Sequence, residues 1–223
     1  MMNPKEFKEL IAEGESSFLE FKRKATTPNK LAREIAALAN TKGGTLIIGV
    51  DDDGTIVGVR SEKSEIDIVE KACAFFISPP VKPEIEIIEY KDKDIILVHI
   101  PESKNKPHVV EIEDTEKKRI VKRAYIRLGE KSVIASKEMF KLMTSQASGK
   151  PLKISIGERE RRLFNYLERH ERITVKEFAA IVNISRRRAE RILIDLVRAN
   201  VIIIHNDTSN DYFSLAPNLN LEQ

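Results

Sequence analysis

The run NKLAREIAALANTKGGTLIIGVDDDG, Asn29 to Gly54, has to change backbone type sharply within a short stretch of chain. Leu31, Ile35, Leu38 and Ala39 recur at helical spacing, and Gly43 stands where a left-handed helix cap favours glycine. TLIIGV then reads as a buried strand, and DDDG as a tight turn before a second strand, TIVGV. Just upstream, Leu19 and Phe21 alternate with Glu20 and Lys22, the period of a half-buried strand with Glu20 and Lys22 on its polar face. A strand, a helix and a strand in close succession thus set the frame for the first part of the chain.

The pattern continues with a helix from about Ser64 to Ile77, ended by Pro79-Pro80. EIEIIEY and DIILVHIP follow, paired across KDKD, then HVVEIE and RIVKRAYIRLG, and a last helix near Ser136–Ser145. The segment TSQASGKPLKIS reads as a linker, which places an α+β mixed-sheet domain over 1–146, a linker over 147–155 and a second domain over 156–223. In the second domain GERERRLFNYLERHE is helical, Thr174 and Glu177 have capping-box spacing, and Ser185 can cap RRRAERILIDLVRAN. VIII and DYFSL close the chain around a polar turn. Three helices and a hairpin in this order are the layout of a small winged helix-turn-helix domain.

Composition narrows the classes. An apolar fraction of 41% with 33% charged residues suits a globular protein, and no apolar run approaches the ~20 residues that span a bilayer. No secretory signal opens the chain, and one cysteine, Cys73, excludes an internal disulfide; a cytoplasmic location is expected, with no membrane partner. Cys73 itself shares a helical stripe with Ile66, Val69 and Phe76 and reads as core. Residues 1–149 carry no net charge, so the whole excess of +3 lies C-terminal to them, which suits a polyanion or a solvated helix equally.

Glu15, Glu20 and Asp52 are the candidate chemistry. Glu20 lies on a strand, Glu15 just before it and Asp52 just after a strand that could pair beside it, so the three could converge on a hard cation such as Mg²⁺ or Mn²⁺. Lys22, on the face of Glu20, could hold a phosphate or the charge that develops on it. The same residues also suit a solvated strand face followed by simple turn chemistry.

The elements ESSFLEFKRK, LAREIAALANTKGGTLIIGVDDDGTIVGV and AYIRLG together resemble the AlbA_2 domain of the Schlafen family, over roughly Glu13 to Leu142. Vertebrate members include metal-dependent RNases that cut tRNA and rRNA, and the resemblance maps their two glutamates and aspartate onto Glu15, Glu20 and Asp52. Prokaryotic members are often described only as candidate transcriptional regulators. The vertebrate enzymes carry two tandem lobes that form a groove; this chain has one, so a groove would need a homodimer. Some members have been labelled ATP-binding, but TKGGT lacks the G-x4-GK(S/T) sequence of a phosphate loop, so no ATP is expected.

Two surfaces could meet a nucleic acid. Arg119, Arg123, Tyr125 and Arg127 alternate along one strand face, where arginines around an aromatic suit phosphates and an unstacked base. Such a face could equally be solvated and paired with Glu111 and Glu113. Arg186, Arg187, Arg188 and Arg191 cluster at the first turns of the third C-terminal helix, a placement that opposes the macrodipole and favours a compensating anion. The turn HNDTSND brings Asp207 and Asp211 and no cation, so it makes a poor phosphate clamp, and the domain could instead mediate dimerisation. Two functions follow as expectations: a metal-dependent endoribonuclease acting on structured RNA such as tRNA, or a non-enzymatic regulator that binds duplex DNA.

Overall fold

The structure is a computed structural model and describes residues 2–114, 119–149, 152, 155–207 and 210–217. Helix α1 (Pro4–Glu13) starts where Asn3 and Glu6 close a capping box around Pro4. After it come β1 (Leu19–Lys22), α2 (Pro28–Asn40), β2 (Gly43–Ile48), α3 (Glu62–Phe75), β3 (Ile77–Ser78), β4 (Glu84–Glu89), β5 (Asp94–Pro101), β6 (Val109–Asp114), β7 (Arg119–Leu128) and β8 (Lys131–Ile134). Two four-stranded sheets result, in the orders β1-β2-β5-β4 and β3-β6-β7-β8. The β1–β2 pair is parallel and the other pairs of both sheets are antiparallel, so the first sheet is mixed, as the sequence implies.

Helix α2 explains why there are two sheets. Leu31, Ala32 and every residue from Ile35 to Asn40 are buried, which is too much apolar surface for one neighbour to cover. The helix packs on Leu46, Ile48, Ile96 and Val98 of the first sheet, on Val110 and Tyr125 of the second, and on Val69, Ala72 and Cys73 of α3. The opposite face of the first sheet, with Leu19, Phe21, Ile47 and Leu97, packs against Phe7 of α1. Asn40 then ties α2 to the second sheet: its side-chain amide donates to the carbonyls of His108 and Tyr125 at 2.8 and 2.9 Å and accepts from the His108 N–H at 2.7 Å. Thr41 accepts the Arg127 N–H at 2.9 Å.

The glycine pair after α2 is required by close approach of backbone. A Cβ on Gly43, whose φ is +76°, would lie 2.6 Å from the Ile100 carbonyl oxygen, and one on Gly44 would lie 2.4 Å from that of Phe18. The pair therefore lets β2 slot between β1 and β5, and Gly43 already belongs to the strand rather than to the helix cap. The strand expected at TIVGV is replaced by one bridge, Val50 to Ile56, because the N–H groups of Val57 and Gly58 both bond back to the Gly49 carbonyl.

The contacts of the chain divide it into two units, Met1–Ala135 and Ser136–Gln223. This moves the boundary from the expected linker, of which residues 150, 151, 153 and 154 lie outside the described set, to the N-terminal side of α4 (Lys137–Ala147). The reason is polar anchoring: Lys141 of α4 pairs with the buried Glu190, and the α4 cap Ser136 donates to Asp211. The second unit continues with α5 (Glu158–Leu167), α6 (Val175–Ile181), α7 (Arg186–Arg198), β9 (Ile202–His205) and β10 (Tyr212–Leu215). Thr174 and Glu177 form the expected capping box and Ser185 caps α7. Leu163, Phe178, Ala189, Leu193, Ile202 and Phe213 make its core. Among the described residues, no helix is long and apolar enough to cross a membrane.

Because the space beside Gly44 is backbone and cannot give way, Gly44→Ala should destabilise the first unit by about 1–3 kcal/mol. Urea unfolding followed by circular dichroism measures this; a midpoint equal to wild type would mean that the strands separate freely there.

Candidate functional site

The register of β1 on β2 sets Glu20 opposite Leu46 and Lys22 opposite Ile48, on the sheet face that packs against α2. Glu20 is accordingly only 5% exposed, where a solvated strand face was one reading. Its two carboxylate oxygens are both answered by cations: Oε1 pairs with the Lys22 ammonium, and Oε2 accepts from Arg127 Nη1 at 2.7 Å. Lys22 also donates to the Phe21 carbonyl at 2.8 Å.

Arg127 overturns its expected role. Its side chain is fully buried and donates to Glu20, to Ser132 Oγ at 3.1 Å and to the Ser16 carbonyl at 2.7 Å, with Glu34 at 3.4 Å. Tyr125 is 6% exposed, belongs to the α2 core and carries the Arg33 guanidinium over its ring at 6.0 Å. The face of β7 expected to meet nucleic acid is, at Tyr125 and Arg127, the face that covers α2. Arg119 and Arg123 remain exposed. Glu34 and Ser132, partners in this buried network, carry no signal of their own in the sequence; the all-round apolar character of α2 was the available hint that a second layer must lie over it.

Glu15 lies half-buried before β1, where its Oε1 accepts the Phe21 N–H at 2.9 Å. Burial pushes its carboxyl above the usual carboxylate range; the Phe21 N–H opposes this, Glu20 adds to it, Lys22 opposes it and Asp52 adds to it. Glu15, Glu20, Lys22 and Asp52 are thus electrostatic neighbours. The aspartate triplet divides its work. Asp51 pairs with Arg23 at 3.0 Å, and Asp53 accepts the Thr55 N–H at 2.8 Å, which holds its carboxyl below the usual range. Asp52 is exposed and, among the described residues, makes no hydrogen bond or ion pair.

As placed, Glu15, Glu20 and Asp52 would hold a divalent cation only after their side chains rearranged. Among the described residues no three histidine, cysteine or carboxylate groups are gathered closely enough to hold one. Glu20 has both oxygens committed to Lys22 and Arg127, so a metal would have to displace a buried ion pair.

In the second unit Arg186, Arg187, Arg188 and Arg191 are all exposed, and among the described residues none is ion-paired. They lie on the first turns of α7, which follows α6 after a short turn with Asn183 at φ +50°. Asp211 proves to be a buried anchor rather than an exposed charge of the hairpin: it is bonded by Ser136 and Asn206, and burial raises its carboxyl. Thr208 and Ser209 of the turn lie outside the described residues.

The Schlafen, AlbA_2 family matches residues 15–136. The chain belongs to this family. The matched AlbA_2 region runs from Glu15 through the second sheet, and membership points to work on nucleic acid. A search of curated proteins finds no match. Among solved structures, the DIP2311 protein of Corynebacterium diphtheriae is 19% identical over 68% of this chain and 35% of its own, with a TM-score of 0.45. The chain therefore spans about a third of that protein's length. The N-terminal domain of a RecG-related protein from Nitrosomonas europaea is 25% identical over 52% of this chain and 79% of its own, with a TM-score of 0.37.

The raised carboxyl of Glu15 has a definite linkage sign. Between the unfolded and folded pKa values the folded state holds more protons, so this group's contribution is full below the unfolded value, about 4.3, and is lost as pH rises through the folded one. Glu15→Gln, which keeps an acceptor for Phe21, should therefore be more stable than wild type at pH 7, the gap closing as pH falls below about 4. Thermal melts of both proteins across that range check it; a gap independent of pH would contradict the assignment.

Proposed function

We propose that this AlbA_2 protein binds nucleic acid, and that its second unit is a winged helix-turn-helix in which α7 lies against the phosphate backbone of duplex DNA. The observation that carries this reading is the set of four exposed, unpaired arginines on the first turns of α7, the second helix of a helix-turn-helix pair. Positive charge there opposes the helix dipole and is relieved by an anion. Arg119 and Arg123 of the AlbA_2 unit supply further exposed cations. A two-fold pair of chains would double the arginine surface and match a palindromic site, so a homodimer is part of the proposal.

If Arg186, Arg187 and Arg191 contact phosphates, replacing all three by alanine weakens binding to every sequence alike. Each lost contact flattens the slope of log K against log salt by about 0.9 for duplex DNA and about 0.7 for single strands. Salt titrations with duplex DNA and tRNA measure this, and a stoichiometry of two chains per duplex is expected. Wild-type affinity and slope in the triple variant would leave dimerisation as the role of the second unit.

A second reading, cleavage of structured RNA at Glu15, Glu20 and Asp52 with Lys22 beside them, has one specific support. Glu15 stands within electrostatic reach of both other carboxylates although they lie on separate segments. The test is incubation with tRNA, rRNA and duplex DNA in Mg²⁺, Mn²⁺ or EDTA. Under this reading Asp52→Ala, which disturbs no contact of the fold, abolishes cleavage and leaves affinity unchanged or higher. Intact RNA in every metal, or undiminished cleavage by Asp52→Ala, would end it.

A further inference from the structure

Both sheets of the first unit leave a length of strand edge unpaired among the described residues. Strand β4 is the last of its sheet and bonds to β5 alone. The phase of that ladder is set at the hairpin, where Tyr90 and Lys93 exchange both backbone hydrogen bonds, at 2.8 and 3.2 Å. Counting back from Tyr90 along an unbroken register, Glu84, Glu86 and Ile88 turn their N–H and C=O groups toward β5. Those of Ile85, Ile87 and Glu89 point outward.

The second open edge belongs to β7. Strand β8 covers it from Tyr125 to Leu128, and among the described residues the ladder ends where the Ala135 N–H bonds to the Ala124 carbonyl at 2.9 Å. Ala124 therefore faces that side, and by the same alternation so do the N–H and C=O groups of Lys122 and Ile120, past the end of β8. Each edge also carries an isoleucine in water. Ile87 is 40% exposed and Ile120 is 69% exposed.

The two edges are oppositely charged. Glu84 and Glu89 are exposed on β4, and Arg119, Lys122 and Arg123 are exposed on β7. Paired with itself about Val121, β7 would set Arg119 opposite Arg123, and β4 paired with itself would gather the glutamates of both copies along one seam; like charges so placed are destabilising. The unlike pairing has neither fault. Laid antiparallel with Ile87 opposite Ile120, the outward backbone groups of the two strands meet, Ile85 falls opposite Lys122, and Glu84 falls opposite Arg123.

We infer that the first unit binds a second copy of this chain by strand pairing, β4 of one copy against the free part of β7 of the other. The surface involves neither α7 nor nucleic acid, so it goes beyond the proposed function. Because the edges are unlike, the contact closes as a dimer when two copies make it reciprocally and otherwise runs on from copy to copy.

Sedimentation of the full chain, freed of nucleic acid, reads the assembly. Wild type is expected to exceed the mass of one chain at about 100 µM. Ile87→Pro removes an N–H that its own sheet does not use and should weaken association at least about tenfold, with circular dichroism confirming that the sheet is intact. Glu84→Arg and Arg123→Glu, both at exposed positions, should each weaken it about three- to tenfold, and an equimolar mixture of the two should recover it, since each then finds an opposite charge. A wild type that stays monomeric up to about 100 µM would overturn the inference. So would undiminished association of Ile87→Pro, or charge variants that recover nothing on mixing.

Discussion

The pairing of Glu20 on the first sheet with Arg127 on the second is the interaction on which the AlbA_2 unit turns, because it is a buried ionic link between two sheets that otherwise meet through the packing of α2 and α3. Each charge has been taken out of water, and such a pair is tolerable only when the remaining hydrogen-bonding capacity is met. Ser16, Ser132 and Glu34 meet most of it for Arg127, and Lys22 meets it for Glu20. Losing either partner would strand the other, at a penalty of about 3–5 kcal/mol. The bond from Arg127 to the Ser16 carbonyl also fixes the chain just after Glu15, so the position of the candidate carboxylates is inherited from this pair.

Local signals in the sequence translated well where one residue type answers one backbone need. Thr174 with Glu177 and Ser185 at the start of α7 are capping chemistry and are found as such, and the Gly43-Gly44 pair marks the junction of α2 with β2. What alternation cannot state is which face of a strand is covered. Tyr125 and Arg127 share a face by period, yet only the docking of β7 on α2 makes that face interior. The same limit applies to α4, whose helical spacing was visible although its partner, Glu190, lies 49 residues further along the chain.

The three aspartates after β2 show how little a charge run says about function until its partners are known. Asp51 and Asp53 serve the turn, through Arg23 and the Thr55 N–H, and Asp52 alone is left to act on anything outside the fold. A similar sorting holds for the arginines: one is interior scaffold at Arg127, while those of α7 stand free for an external anion. The exposed arginine cluster of α7 therefore lies on a different unit from the carboxylates, although Arg119 and Arg123 of the first unit are exposed as well.

The anchoring of α4 changes where the polypeptide can be divided. A C-terminal fragment begun at the Gly-Pro-bearing stretch around residue 150 would look natural from sequence, yet it would leave Lys141 behind and deprive the buried Glu190 carboxylate of its ion-pair partner. Asp211 would lose Ser136 in the same cut. Such a piece would expose the helix face that α4 shields and be prone to self-association, whereas one begun ahead of Ser136 carries its own counter-ions and is the sensible unit for isolated study or for fusion to another protein.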